Sequence, residues 1–353
     1  MNKKKYTGRA PALLLCLLLA AGALTACGNG RVVFTTGFGR DEVFRVGSQV
    51  CTLAEMRVYL TNAQNQYESV YGSRVWSVSR DGLSLEENLK ENILAKTAQI
   101  KAMYLLAQDK GVELNPGESK LVKRAAEEYY NSLSDREKEL LGVEPVILER
   151  MYTEYALADK VYRYIIQDIN PEISDDEART ITVQHILFRT CTVDERGKRV
   201  ELSEGDREKL YLEACEVRRQ AAEDKADFLE LAGRYSEDAT ITYSFGKGQI
   251  DEVFEETAFS LETGEISQVV ETEAGYHIIK CITTFDRAET DANKLVIVEE
   301  RRREVFGEEY DAFVEPLVRQ LNTKLWDEIT LLQDEDTDTK SFFEIYDKYF
   351  SGV

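Results

Sequence analysis

Two histidines are all this chain has, and both fall in short apolar runs. His277 lies in Gly275-Tyr276-His277-Ile278-Ile279-Lys280, and His185 in Val183-Gln184-His185-Ile186-Leu187-Phe188. Each run reads as a strand, with Val183, His185 and Leu187 on one face. Ahead of His277 come a glycine turn at Phe245-Gly246-Lys247-Gly248-Gln249-Ile250, an apolar helix around Val253–Phe259, a second turn at Gly264 and a short strand near Gln268–Thr272. Two histidine-bearing strands with helices between them predict a small α+β module that keeps a polar site inside.

The rest of the module follows the same logic. Asn170-Pro171-Glu172-Ile173-Ser174 marks its start, and Ser174-x-x-Glu177 predicts a short connecting helix. Ser203-x-x-Asp206 opens a helix through Leu210, Ala214, Val217 and Ala221. Another helix begins at Asp227 and ends near Tyr235-Ser236-Glu237-Asp238.

The flanks are helical. Ser84, Asn115 and Ser134 are each followed three residues later by Glu, the signature of a capped helix start, and Thr52 stands where it can cap a helix through Leu53 and Met56. Gly111 and Gly142 stand where helices stop, and Pro145 opens another helix. After Arg287 the helical pattern returns as far as Pro316, which predicts a kink or restart. Trp326–Leu331 reads as a strand. The apolar tail Phe342–Phe350 is expected to dock on the N-terminal helices, which makes the middle module an insertion. Aromatics such as Tyr129, Tyr152, Tyr155 and Tyr162 are expected to fill that helical core.

At the N-terminus, Lys3, Lys4, Lys5 and Arg9 precede the apolar stretch Ala12–Ala21, and Leu24-Thr25-Ala26-Cys27 follows. This resembles the lipobox of bacterial lipoproteins, in which the cysteine is diacylated and becomes the first residue. Two acyl chains anchor stably where one does not. The expectation is therefore a signal peptide over 1–26, a lipid-bearing Cys27 and a linker over 27–48. The protein would then work on the outer face of the cell membrane.

Formal net charge is −21, and losing the four leader cations takes the mature chain near −25. A surface of that sign lacks the basic footprint that nucleic acid requires. Cys51, Cys191, Cys215 and Cys281 show no metal-ligand spacing, so no metal or other cofactor is expected, and the thiols read as free.

The middle segment resembles parvulin-type peptidyl-prolyl isomerases. The likeness rests on Gln184-His185-Ile186-Leu187, Phe228-x-x-Leu231-Ala232-x-x-Tyr235-Ser236-x-Asp238, Phe245-Gly246-Lys247-Gly248-Gln249-Ile250-x-x-x-Phe254, Gly264-Glu265-Ile266-Ser267 and Thr272-x-x-Gly275-Tyr276-His277. With the lipobox and the helical flanks, the whole chain resembles PrsA-like foldase lipoproteins of Gram-positive bacteria. The resemblance implies a parvulin domain over 173–286, with a four-stranded sheet and helices. This domain is inserted in a mostly α-helical, chaperone-like domain built from 49–172 and 287–353.

It also implies site roles. His185 and His277 would be the paired histidines, Asp238 the acidic partner and Thr272 a hydrogen-bonding support. Ile250 and Phe254 would line the proline pocket. Partners would be unfolded exported proteins with X-Pro bonds and the membrane through Cys27, with room for a homodimer. The chain departs from the family at two places. Ala239–Ser244 stands where a Gly-Gly-Asp-Leu-Gly segment is usual, which removes a pocket-lining leucine. Cys191–Val200 is mixed in charge, so no preference for phosphorylated substrates is expected.

These residue types suit the reaction. Prolyl isomerisation breaks no covalent bond; its barrier, roughly 18–20 kcal/mol, is the lost amide resonance of the twisted state. An apolar cup that fixes the ring and a preorganised polar cluster around the rotating carbonyl can lower it without a nucleophile. The alternative function is a lipid-anchored holdase whose parvulin domain is weak or silent, and the shortened loop is the feature that favours it.

Overall fold

The computed structural model describes residues 37–80, 83–194, 198–223, 226–334 and 336–351. The expected signal peptide, Cys27 and most of the linker lie outside these residues. The chain divides into two compact units. One is Ile169–Arg303; the other joins the segment up to Asp168 with Glu304–Val353.

The split unit begins with strands β1 (Glu42–Val46) and β2 (Gln49–Thr52), an antiparallel hairpin turning at Gly47. The expected linker through residue 48 therefore already contains a strand. Helix α1 (Leu53–Tyr71) follows, then the two-residue strands β3 (Ser79–Arg80) and β4 (Leu83–Ser84). Helices α2 (Leu85–Asp109), α3 (Pro116–Ser132), α4 (Asp135–Leu141) and α5 (Pro145–Ile166) complete the first segment. Thr52, Ser84, Asn115 and Ser134 each accept from the backbone N–H three residues on, and the Glu there reaches back to the cap: four complete capping boxes.

The second unit holds β5 (Ile181–Arg189), β6 (Cys191–Val193), β7 (Arg199–Glu201), α6 (Glu204–Ala221), α7 (Phe228–Tyr235), β8 (Thr242–Phe245), α8 (Glu252–Ser260), β9 (Val270–Glu271) and β10 (Gly275–Thr283). Its four-stranded antiparallel sheet runs β8-β5-β10-β9. Ile186, Phe188, Tyr276 and Ile278 pack one face against α6 and α7. Ile181, Val183, Ile279 and Cys281 pack the other against Phe245 and α8. The helix expected after Ser174 does not form. Its cap bond is made, Glu177 N–H to Ser174 Oγ at 3.1 Å, but the chain only turns before β5 begins at Ile181. That leaves too little length for a helix to propagate.

Helix α9 (Arg287–Val314) starts in the second unit and ends in the first segment's unit. Asp286 caps it, accepting from Glu289 N–H at 3.2 Å. Its first half is built into the second unit: Thr290 is fully buried and accepts from Thr180 N–H at 3.1 Å. The structural boundary therefore falls at Arg303, beyond the expected 286. Pro316 neither kinks nor restarts the helix; it sits in the turn that ends it, and β11 (Arg319–Leu321) then pairs with β1. The strand expected at Trp326–Leu331 is instead the one-turn helix α10 (Thr323–Glu328), capped by Asn322. The tail forms α11 (Phe342–Phe350). Phe342 is buried, stacked on Tyr152 at 4.3 Å, and its backbone N–H donates to Asn62 Oδ1. The four cysteines of the described residues are free thiols. No helix among these residues is long and apolar enough to cross a membrane.

Candidate active site

The β5–β10 register brings the histidines together. His185 lies opposite Ile279 and His277 opposite Leu187. Side chains two apart on a strand share a face, so the imidazoles are diagonal neighbours on one side of the sheet. Their Nδ1 atoms are 3.2 Å apart and the rings lie nearly parallel. Both are buried, at 2 % and 6 % exposure, where an imidazolium would cost most.

The neighbours fix the tautomers. His185 Nε2 is 3.1 Å from the Thr240 carbonyl, which only accepts, so Nε2 carries hydrogen and Nδ1 is an acceptor. His277 Nδ1–H must then donate to His185 Nδ1, which leaves His277 Nε2 to accept from the Thr272 hydroxyl at 2.9 Å. Thr272 Oγ1 accepts in turn from Ala274 N–H at 3.1 Å. Thr272 is held by the tight turn to Gly275, whose N–H donates to the Thr272 carbonyl. Gly275 has φ +147°, and a Cβ there would stand 2.0 Å from the Phe188 carbonyl oxygen, so only glycine lets β10 close on β5.

Asp238 follows the C-terminus of α7. Its Oδ1 accepts from Thr240 N–H at 3.0 Å, and its Oδ2 lies 3.4 Å from His185 Nε2 and accepts from the Tyr243 hydroxyl at 3.0 Å. Burial pushes the Asp238 carboxyl up, but the Thr240 amide, the Tyr243 hydroxyl and the nearby His185 and Arg189 side chains outweigh it and hold it below its ordinary value. Burial pulls His185 down, only partly countered by Thr240 and Asp238. Burial, then the proximity of His185, brings His277 down to about 4. The site at neutral pH is thus a directed run of neutral hydrogen bonds from Thr272 through His277 and His185 to the Thr240 carbonyl, with the Asp238 carboxylate 3.4 Å from its His185 end.

Phe254, near the start of α8, stands edge-on to both imidazoles, with ring centroids 5.6 Å from His185 and 5.1 Å from His277. Asp251 caps α8 by accepting from Phe254 N–H at 3.0 Å, which fixes where that ring emerges. Ile250 is half-buried on the apolar cluster that contains Phe254, Phe245 and Val183. The polar residues expected from sequence, His185, Asp238, Thr272 and His277, converge on one linked network, with Phe254 against it and Ile250 beside Phe254. Tyr243 and the Thr240 carbonyl were not expected there. The Thr240–Phe245 run, alternating with β-branched and aromatic residues, carried a strand signal that would have placed them.

Residues 185–283 match the rotamase family described as a PPIC-type PPIase domain. This segment is a parvulin-type peptidyl-prolyl isomerase domain. The parvulin segment is also similar to a peptidyl-prolyl cis-trans isomerase Pin1 of Digitalis lanata, with 41% identity over 69 residues, 18% of this chain and 58% of that protein. Over most of its length the chain is similar to a foldase protein PrsA of Caldanaerobacter subterraneus subsp. tengcongensis, at 26% identity, covering 86% of this chain and 93% of that protein. A solved PrsA from Bacillus cereus aligns with 76% of this chain and 97% of its own, at 22% identity and a TM-score of 0.36. The chain carries a peptidyl-prolyl isomerase domain and is similar over most of its length to PrsA foldases.

Proposed function

We propose that this chain isomerises X-Pro bonds of unfolded exported proteins by noncovalent stabilisation of the twisted amide, outside the cytoplasm and tethered through a lipid on Cys27. The observation that carries the catalytic part is the directed chain Thr272–His277–His185–Asp238 beside the Phe254 ring. The proline ring would sit against Phe254 and Ile250. The substrate carbonyl would rotate past the Asp238 end of the network, whose dipoles are already set before the barrier is reached. The reaction makes and breaks no covalent bond, so the residues need no bond-making step and no nucleophile. Asp238 is 22 % exposed, enough to meet a substrate, while the histidines behind it stay dry.

A proline-peptide isomerisation assay on the full chain tests the site. His277→Ala and Asp238→Ala are each expected to lower kcat/KM by about tenfold or more. Unchanged rates in folded variants would remove the assignment, and no acceleration by the unaltered protein would remove the mechanism altogether. The tether is supported by the lipobox-like Leu24-Thr25-Ala26-Cys27. Cell fractionation reads it: Cys27→Ser should abolish the membrane-bound mature form and leave an uncleaved or released protein, and an unchanged distribution and size would exclude the lipid.

A further inference from the structure

We propose that Tyr243 is a positioning residue of the isomerase site, a phenol on the edge strand that clamps the Asp238 carboxylate against His185 where the resembled family carries a longer glycine-rich loop. The inference rests on the roles given above to Asp238 and His185.

The chain between Asp238 and Phe245 is short, and its end is not a loop. Thr242–Phe245 forms β8 and pairs with β5, with Tyr243 directly opposite Val183. Cross-strand partners point to the same side of a sheet, so the Tyr243 side chain shares the face of Val183 and His185. Its ring meets His185 edge-on at 5.1 Å between centroids, and its hydroxyl reaches Asp238 Oδ2 at 3.0 Å. The strand register therefore fixes the phenol, and the phenol fixes the carboxylate.

Asp238 needs such a clamp. It sits in a turn after α7, where its backbone N–H makes a long bond to Ser236 Oγ, at 3.3 Å. Oδ1 is satisfied locally by Thr240 N–H, a contact that leaves the rest of the carboxylate free to tilt toward water. Oδ2 is the atom that faces His185 Nε2, and that hydrogen is already shared with the Thr240 carbonyl. The hydroxyl of Tyr243 gives Oδ2 a charge-assisted donor of its own, stronger than a neutral pair and rigid because the ring is packed. Without it, one of the two oxygens would lose its fixed direction, and the field at the substrate carbonyl would blur.

The experiment compares Tyr243→Phe, Asp238→Asn and the double variant in the isomerisation assay on the full chain. Phenylalanine keeps the ring, so the fold is expected to hold, with melting temperature as the control. Tyr243→Phe should lower kcat/KM roughly tenfold, mostly in kcat with KM little changed, since the carboxylate acts on the twisted amide. In the Asp238→Asn background the same change should cost less than twofold, because the group it positions is gone. Histidine ring 15N spectra supply a second reading that the chain's two imidazoles keep simple. The His185 Nε2 signal should move in Tyr243→Phe and the His277 Nε2 signal should stay. Wild-type kinetics in Tyr243→Phe, or a tenfold loss that carries over in full into Asp238→Asn, would overturn the proposal while leaving Asp238 and His277 in place. A protein with no isomerase activity at all would overturn the site reading and this inference with it.

Discussion

His277 can be protonated only at the cost of placing a charge beside His185 in a nearly dry pocket, which is why its pKa falls to about 4 from 6.5. Between those two values the unfolded chain takes up a proton that the folded chain refuses. The group's contribution to stability is therefore complete above pH 6.5 and is lost as pH falls toward 4, by about 3 kcal/mol at the low end. His185 is displaced in the same direction and steepens the loss. Urea unfolding of the parvulin unit at pH 7 and pH 5 measures it, with His277→Asn as the comparison: the variant should show a shallower fall. Equal slopes would mean that the buried ring is not what titrates. At this scale the sequence was informative where a residue type is unusual in its setting. A histidine in each of two apolar runs was legible from the residues themselves, whereas Asp238 was marked only by the resemblance to parvulins. Tyr243 was not, because its partner depends on how a shortened segment closes, and a tyrosine near strands looks like any other packing residue.

Elements were legible in proportion to how local their causes are. A capping box is complete within four residues, so the starts at Ser84, Asn115 and Ser134 could be read directly from it and Thr52 as a cap, and Gly142 ends α4 in the left-handed conformation that favours glycine. Pairing between distant segments left no such trace. The β11-β1-β2 sheet joins Arg319–Leu321 to Glu42–Val46, and neither strand has enough alternation to announce itself. Local signals also misled when tertiary demands outvoted them. Ser174 makes its cap bond, yet Asp175 is drawn to Arg287 and Lys294, and the chain is needed for β5. Trp326–Leu331 has the composition of a strand, but Asn322 accepts from Leu325 N–H and starts a helical turn in its place. Edge strand β8 shows the useful side of this. The segment that departs from the resembled family is ordered by its register with β5, not left as a loose link.

For the molecule as a whole, the insertion was legible from the returning helical pattern, but its far boundary was not, because α9 runs through it without a break. The helix's first half serves the isomerase site. Asn293 Oδ1 accepts from Gln249 Nε2 at 3.0 Å, and its Nδ2 donates to the Ala178 carbonyl at 3.0 Å. Gln249 in turn accepts from Gly246 N–H, in the turn that leads to Ile250 and Phe254. A Cβ on Gly246 would come within 2.5 Å of Asn293, so that glycine is what lets the turn lie against the helix. A fragment cut at Asp286 therefore loses the partners of Thr180, Ala178 and Gln249 together. Water would replace some of these bonds, leaving a net loss of about 2 kcal/mol, or roughly 5–10 °C in melting temperature for a unit of this size. The fragment Ile169–Arg303 should fold, melt higher than one ending at Asp286, and isomerise faster, since only the longer one keeps the proline-pocket turn in place. Asn293→Ala in the longer fragment should reproduce much of that loss, which assigns it to that side chain and not to helix length. If the two fragments melt together and turn over equally, the first half of α9 is a passive continuation, and the site ends where the sequence pattern ended.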